Sequence, residues 1–445
     1  MSNEFRSIEN DVLHLGITTA SLAESFSDSS VSFDGTLAAS HRYRRRTART
    51  RPSVLGQAPA EKPWLNIKMT RSQKFSHRLP YISISLALLV VAGYCYSGYS
   101  QVDRHKYCLV VDDDFSNGFN PNVWQLEQQL DGFGVGSFDW TTDSPENSFI
   151  KDNRLHIQPT LQTQYEQVDG NVLNLTETGK CQGFGDYACA ARVNSTTSDI
   201  INPVQSARIT TRNQTTIRYG KVEVRAKMPK GLWLWPQIAL LPKDLHYGQW
   251  PASGELSIFE SWGNDPSKRR PSNKKMVSQI WSGTDGSWVQ SRSVSKEFKL
   301  PRGDFSDEFH TFGLVWSQDA IYTYIDNFLM NVLTYKVNKP NQFWIDGGLS
   351  NWLWGGTCAN FRCNVNPYIG GSPIAPYDQD FFLSLSLRVG GLNGWFPDGG
   401  AKPWTNNMNH TAAMTTFLAG KHTWLPSWNE SAMVIDSVKM WKQCS

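Results

Sequence analysis

Glu255 and Glu260 have the clearest claim to chemistry in this 445-residue chain. They lie in the run Trp250-Pro-Ala-Ser-Gly-Glu-Leu-Ser-Ile-Phe-Glu-Ser-Trp-Gly-Asn264. Side chains alternate faces along a strand. Glu255 and Ser257 then share one face, and Leu256 and Ile258 the other. Unbroken alternation would send Glu260 into the core with Leu256, which is costly for a carboxylate. A one-residue β-bulge near Ile258 or Phe259 restores Glu260 to the face of Glu255. Two glutamates then line one cleft with Ser257 between them. Such a pair suits retaining glycoside cleavage, in which one carboxylate attacks the anomeric carbon. The other protonates the leaving oxygen and later activates water, with the carboxyl groups roughly 5–5.5 Å apart. On its own, Glu-x-x-x-x-Glu also marks an ordinary solvated surface.

The elements around the pair read as strands. In Lys221-Val-Glu-Val-Arg-Ala-Lys, Val222, Val224 and Ala226 alternate with Lys221, Glu223 and Arg225. Phe382-Leu-Ser-Leu-Ser-Leu-Arg sets Leu383, Leu385 and Leu387 against Ser384, Ser386 and Arg388. Phe309 to Trp316 and Ala320 to Ile325 are further strands, and Asp326-Asn327 is a hairpin turn into Phe328 to Tyr335. Residues 337–380 read as long loops. No amphipathic helix is expected beyond residue 104, and no internal repeat is visible. Many short strands broken by Gly, Pro and Asn predict an all-β sandwich or jelly roll. The 18 tryptophans divide between core packing and platforms on which a pyranose face can stack.

The N-terminal part differs in kind. Residues 1–78 are rich in Ser, Arg and Thr and read as a disordered basic cytosolic tail. Residues 79–100 carry no charged side chain and are long enough to cross a bilayer, so they read as a transmembrane signal anchor. Arg42 to Arg51, Lys68, Arg71, Lys74 and Arg78 precede this stretch. That bias predicts a single-pass type II membrane protein, with the domain from 104 to 445 lumenal or extracellular. Tyr94, Tyr96 and Tyr99 would sit at the outer interface. Six of the seven cysteines lie beyond the anchor, and an even number in an oxidising compartment predicts disulfides. The preferred pairs are Cys181–Cys189, Cys358–Cys363 and Cys108–Cys444. No Cys-x-x-Cys stands with His at zinc-finger spacing. Sequons fall at Asn174, Asn194, Asn213, Asn409 and Asn429, all beyond the anchor. A net charge of +3 argues against nucleic acid as a partner, and oligomeric state is not readable from sequence.

Several ordered motifs give the chain a family resemblance. They are Ser206-Ala-Arg-Ile-Thr-Thr, Tyr219-Gly-Lys-Val-Glu-Val-Arg-Ala-Lys-Met-Pro-Lys-Gly, Leu234-Trp-Pro, Trp250-Pro-Ala-Ser-Gly-Glu, Phe309-His-Thr-Phe-Gly, Val389-Gly-Gly and Ile435-Asp-Ser-Val-Lys-Met-Trp. Together these resemble the laminarinase-like branch of glycoside hydrolase family 16, over most of residues 108–445, with an affinity to fungal cell-wall members. The resemblance implies a β-jelly roll of two curved antiparallel sheets with a glycan groove on the concave face. It implies retaining endo-action on β-1,3- or mixed β-1,3/1,4-glucan. Glu255 matches the nucleophile and Glu260 the general acid/base. Trp250, Arg208, Asn264 and Trp395 match substrate-binding positions. Core packing is the other reading of Trp250 and Trp395, and a cross-strand ion pair that of Arg208. No cofactor is required, and the family resemblance allows a structural calcium ion.

Three positions depart from the family pattern. Ser257 stands where the family carries an Asp that holds the nucleophile. Loss of that charge is expected to ease ionisation of both glutamates and to weaken Glu260 as a proton donor. Ala239 stands where a tryptophan is usual, and Ile280 where His or Asn is usual, so a stacking face and a cleft hydrogen bond are expected to be missing. The reading is therefore a retaining β-glucan hydrolase or transglycosylase. Its rivals are a weakened or inactive β-glucan-binding protein and a membrane-tethered wall-assembly factor.

Overall fold

The computed structural model describes residues 68–100, 105–163, 167–183, 186–265, 271–283, 292–347 and 366–444. The chain separates into two units, residues 1–100 and 101–445. Of the first unit, the described part is one helix, α1 (Arg71–Ser100), with Pro80 inside it. Its stretch Arg71–Ser97 is long and apolar enough to cross a membrane. The helix starts eight residues before the expected span and includes the basic residues Arg71, Lys74 and Arg78. The expected tail at 1–67 lies outside the described residues.

The second unit is a sandwich of two antiparallel sheets. The outer sheet runs β13 (Asn331–Lys336), β12 (Ala320–Ile325), β11 (His310–Trp316), β6 (Gly220–Lys227), β15 (Met433–Gln443), β4 (Arg154–Ile157), β3 (Ser148–Lys151). Strand β1 (Tyr107–Asp113) also pairs with β15. The inner sheet runs β10 (Arg292–Lys299), β9 (Lys275–Ser282), β8 (Glu255–Ser261), β7 (Leu234–Pro242), β14 (Phe381–Val389), β5 (Arg208–Thr210), β2 (Gln125–Glu127). This is the expected jelly roll.

Alternation explains why the sheets stack. On β6, Val222, Val224 and Ala226 are wholly buried, while Lys221, Glu223 and Arg225 face outward. On β14, Leu383, Leu385 and Leu387 meet them in the core. Each large apolar side chain so buried stabilises the fold by about 1.5–3 kcal/mol. Most of the tryptophan excess serves this core or its margins. Trp124, Trp233, Trp316, Trp404 and Trp424 are among the largest fully buried side chains.

Two expected disulfides are present. Cys108–Cys444 ties β1 to the end of β15, and Cys181–Cys189 staples a short loop. Cys358 and Cys363 lie outside the described residues. Two expectations need correction. The hairpin after Asp326 is longer than read: β13 starts at Asn331, and Leu329 is left 92% exposed at the tip. A helix, α2 (His410–Ala419), stands where none was expected. Asn409 caps it by accepting from Ala412 N at 2.7 Å. Only Ala413, Met414 and Phe417 of α2 are buried. So narrow a stripe among Thr and Ala leaves little helical periodicity to read.

Candidate active site

The groove floor is the face of the inner sheet turned away from the core, and β8 carries its centre. Across β8 and β9, Glu255 pairs with Trp281, Ser257 with Gln279, and Glu260 with Val277. Three steps on β8 from Ser257 to Glu260 therefore match two on β9. Against β7, Ser257 pairs with Ala239 and Phe259 with Ile238, again with one residue to spare. The spare residue is Ile258, and both Ile258 and Phe259 are buried in the core. A bulge at the expected position thus puts Glu255, Ser257 and Glu260 on one face. Gly254 enters the strand at φ +82°, where a Cβ would lie 2.7 Å from the Tyr377 ring. Glycine is required there on both counts.

The carboxylates are held differently. Glu255 Oε1 accepts from Ser257 Oγ at 2.8 Å and Gln237 Nε2 at 2.9 Å, and its Oε2 accepts from Trp250 Nε1 at 2.9 Å. Gln237 Nε2 also reaches Ser257 Oγ at 3.3 Å. Glu260 Oε2 accepts one such bond, from Trp235 Nε1 at 2.9 Å. Burial and then the neighbouring Glu255 charge push the Glu260 carboxyl up to about 7, against the pull of Arg388, Ser257 and Trp235. Burial and the Glu255 charge therefore favour the protonated form of Glu260 even with the uncharged Ser257 beside it.

Around this centre the expected binding residues divide. Trp250 is 48% exposed and tilts against Trp281, ring centroids 5.4 Å apart, at the groove rim. Arg208 is buried, and its Nε lies 2.9 Å from Glu127 Oε2 on the paired strand β2. The Phe133 ring covers its guanidinium at 3.7 Å. Burial pushes the Arg208 group down to about 10, with Glu127 opposing. Arg208 is thus the cross-strand ion pair of its alternative reading. Asn264 is wholly buried and turned inward: Oδ1 accepts from Trp233 N at 3.1 Å, and Nδ2 donates to Pro271 O at 2.9 Å. Its amide braces two loops. Trp395, partly buried, stacks near-parallel on Trp262 at 4.4 Å and on Trp235 at 5.0 Å.

Of the departures, Ala239 does face the floor, between Ser257 and Ser384. Ile280 does not: it pairs with Leu256 and is buried in the core, and the floor position on β9 is Gln279. Trp235, Gln237, Trp281 and Arg388 belong to the site and were not singled out from sequence. Trp235 lay inside a quoted motif, and Arg388 closed an alternating strand whose polar face was noted. Among the described residues, no three or more His, Cys, Asp or Glu side chains gather as metal ligands.

Comparison with known proteins gives this geometry a context. Residues 161–348 match the family model described as glycosyl hydrolases family 16. A β-1,3-glucan-binding protein of Penaeus monodon is 35% identical over 357 residues, covering 75% of this chain and 90% of that protein. β-1,3-glucan-binding protein 2 of Manduca sexta is 26% identical over 351 residues, covering 76% of this chain and 66% of that one. The laminarinase catalytic domain of Thermotoga maritima is similar at 21% identity and a TM-score of 0.48, covering 76% of this chain and all of that one. Neither named relative is described as a fungal cell-wall protein. The expected affinity thus reduces to the broader family.

Proposed function

Since the chain belongs to glycosyl hydrolase family 16, we propose that it is a β-1,3-glucan-recognising protein that keeps a working retaining mechanism. The observation that carries this reading is the asymmetry of the carboxylates on β8. Glu255 faces three donors, the complement of an acceptor-only carboxylate. Glu260 is buried and raised to about 7, so near neutral pH a substantial fraction of it still carries the proton to be donated. Glu255 attacks the anomeric carbon while Glu260 gives its proton to the departing glycosidic oxygen. Glu260 then takes a proton from water, giving hydrolysis, or from a sugar hydroxyl, giving transfer.

A second reading, glucan binding without cleavage, draws support from the relatives named for binding and from the internal use of Arg208, Asn264 and Trp395. In either case the basic residues ahead of the apolar stretch, Arg71, Lys74 and Arg78 among them, favour a cytosolic N-terminus, and the disulfides of the second unit favour a lumenal or extracellular domain. The test is laminarin incubated with the full chain in detergent micelles, beside Glu255→Gln and Glu260→Gln, with products sized. Shorter or longer oligosaccharides from wild type, and at least about 100-fold less from each variant, support catalysis. Tight binding with unchanged laminarin supports the second reading.

A further inference from the structure

Glu255 is fixed by a network that contains no second charge, and one member of it lies on another strand. Gln237 sits on β7 directly opposite Glu260, and opposite Ser386 on β14. It is 2% exposed, so its amide must find partners inside the groove floor. The bulge draws Glu255 and Ser257 within its reach. One amide, Nε2, then serves Glu255 Oε1 at 2.9 Å and Ser257 Oγ at 3.3 Å. Hydrogen-bond accounting fixes the direction of the chain of bonds. Ser257 has one proton, which it gives to Glu255 Oε1 at 2.8 Å, so toward Gln237 it can only accept. The reversed amide would set its oxygen against a carboxylate oxygen, acceptor on acceptor.

We propose that Gln237 is the positioning residue for Glu255: acting with Ser257, it fixes Oε1 through neutral donors, so that Oε2, steadied by Trp250 Nε1, is the oxygen presented to the sugar. The proposal rests on the reading of Glu255 as nucleophile and adds the device that replaces the absent third carboxylate. A carboxylate at 257 would add a third negative charge to the site, whereas Gln237 and Ser257 add none. Placing Glu255 also sustains Glu260, because the Glu255 charge is one of the two causes that keep Glu260 protonated. The other charged or titratable groups around the pair are Arg388 on β14, Arg208 on β5, and Tyr377.

The experiment uses the full chain in detergent micelles and two near-isosteric variants, Gln237→Met and Gln237→Glu. With laminarin, each should lose about 100-fold in kcat with KM little changed, the cost of a misplaced reacting group. The alkaline limb of the pH–rate profile should move down in pH for Gln237→Met, where Glu255 is less firmly held, and up for Gln237→Glu, where a like charge is added. A second readout does not depend on turnover. In 15N-tryptophan-labelled protein, the Trp235 indole N–H bonds Glu260 and reports its titration, its signal being identified by its loss in Trp235→Phe. Its midpoint should move in the same opposite directions. If wild type never cleaves laminarin yet the indole midpoints shift, the catalytic reading falls and the positioning role stands. If both variants leave the indole midpoint unmoved and lower only the melting temperature, Gln237 is a packing residue and the proposal is overturned.

Discussion

The two sides of the groove floor belong to the same sheet but spend their polar groups differently. On β8, β7 and the turn that leads into β8, donors from Gln237, Ser257, Trp250 and Trp235 all point at the two carboxylates. On β5 and β2, Arg208 and Glu127 spend their charges on each other beneath Phe133. One side is set for a reaction, and the other is closed on itself. The contrast teaches that an arrangement of donors around two carboxylates and an ion pair closed on itself can share one sheet face, and the resemblance of motifs alone does not distinguish them.

The contrast breaks most visibly at Arg208. Arg208→Met should cost up to about 3–5 kcal/mol of stability, because it leaves buried Glu127 with only the longer contact to Arg212, 3.7 Å from its Oε1. Chemical denaturation of the full chain in micelles measures this. If the variant kept its stability and lost laminarin binding instead, Arg208 would be a sugar contact and the two sides would be alike.

A smaller effect separates the sides by pH. Glu260 has a folded-state value raised from 4.5 to about 7. Its contribution to stability is therefore fully present below its unfolded value and is lost as pH rises through about 7. Glu260→Gln removes that loss. It should match wild type near pH 4 and exceed it above pH 7 by up to about 3 kcal/mol. A constant offset across this window would mean that Glu260 does not titrate there.

The smallest effect is expected from Phe133, in the left-handed region at φ 56° between Gly132 and Gly134. Phe133→Ala should cost about 0.5–1 kcal/mol through the lost cation–π contact. It should also uncover Arg208 and tighten laminarin binding measured by calorimetry. Weaker binding would make the ring itself part of the sugar site.

How far sequence reaches can be judged from particular residues. The bulge was legible because a buried Glu260 among Leu256 and Ile258 is physically untenable, and only one shift of register repairs it. The alternating faces of β6 and β14 were legible for the same period-two reason. Two disulfides followed from compartment and chain ends. What sequence hid were facts of long-range pairing. Gln237 meets Glu255 only because β7 lies beside β8, and nothing local in Leu234-Trp-Pro-Gln reveals the partner. Ile280 was placed in the cleft by motif matching, yet its pairing with Leu256 turns it into the core. Asn264 looked like a groove residue because it follows the catalytic strand, but a wholly buried amide among loops must satisfy backbone groups first.

Trapping of the covalent intermediate tests most directly whether β8 carries a working retaining site. The full chain would be incubated with an activated 2-deoxy-2-fluoro β-1,3-glucoside, whose glycosyl ester forms faster than it hydrolyses, and then digested for peptide mass spectrometry. The predicted result is a single glycosyl adduct on Glu255, absent in Glu255→Gln and slow to form above pH 7 when the leaving group needs a proton. A chain that binds laminarin but acquires no adduct at any pH, or acquires it elsewhere, would contradict the claim.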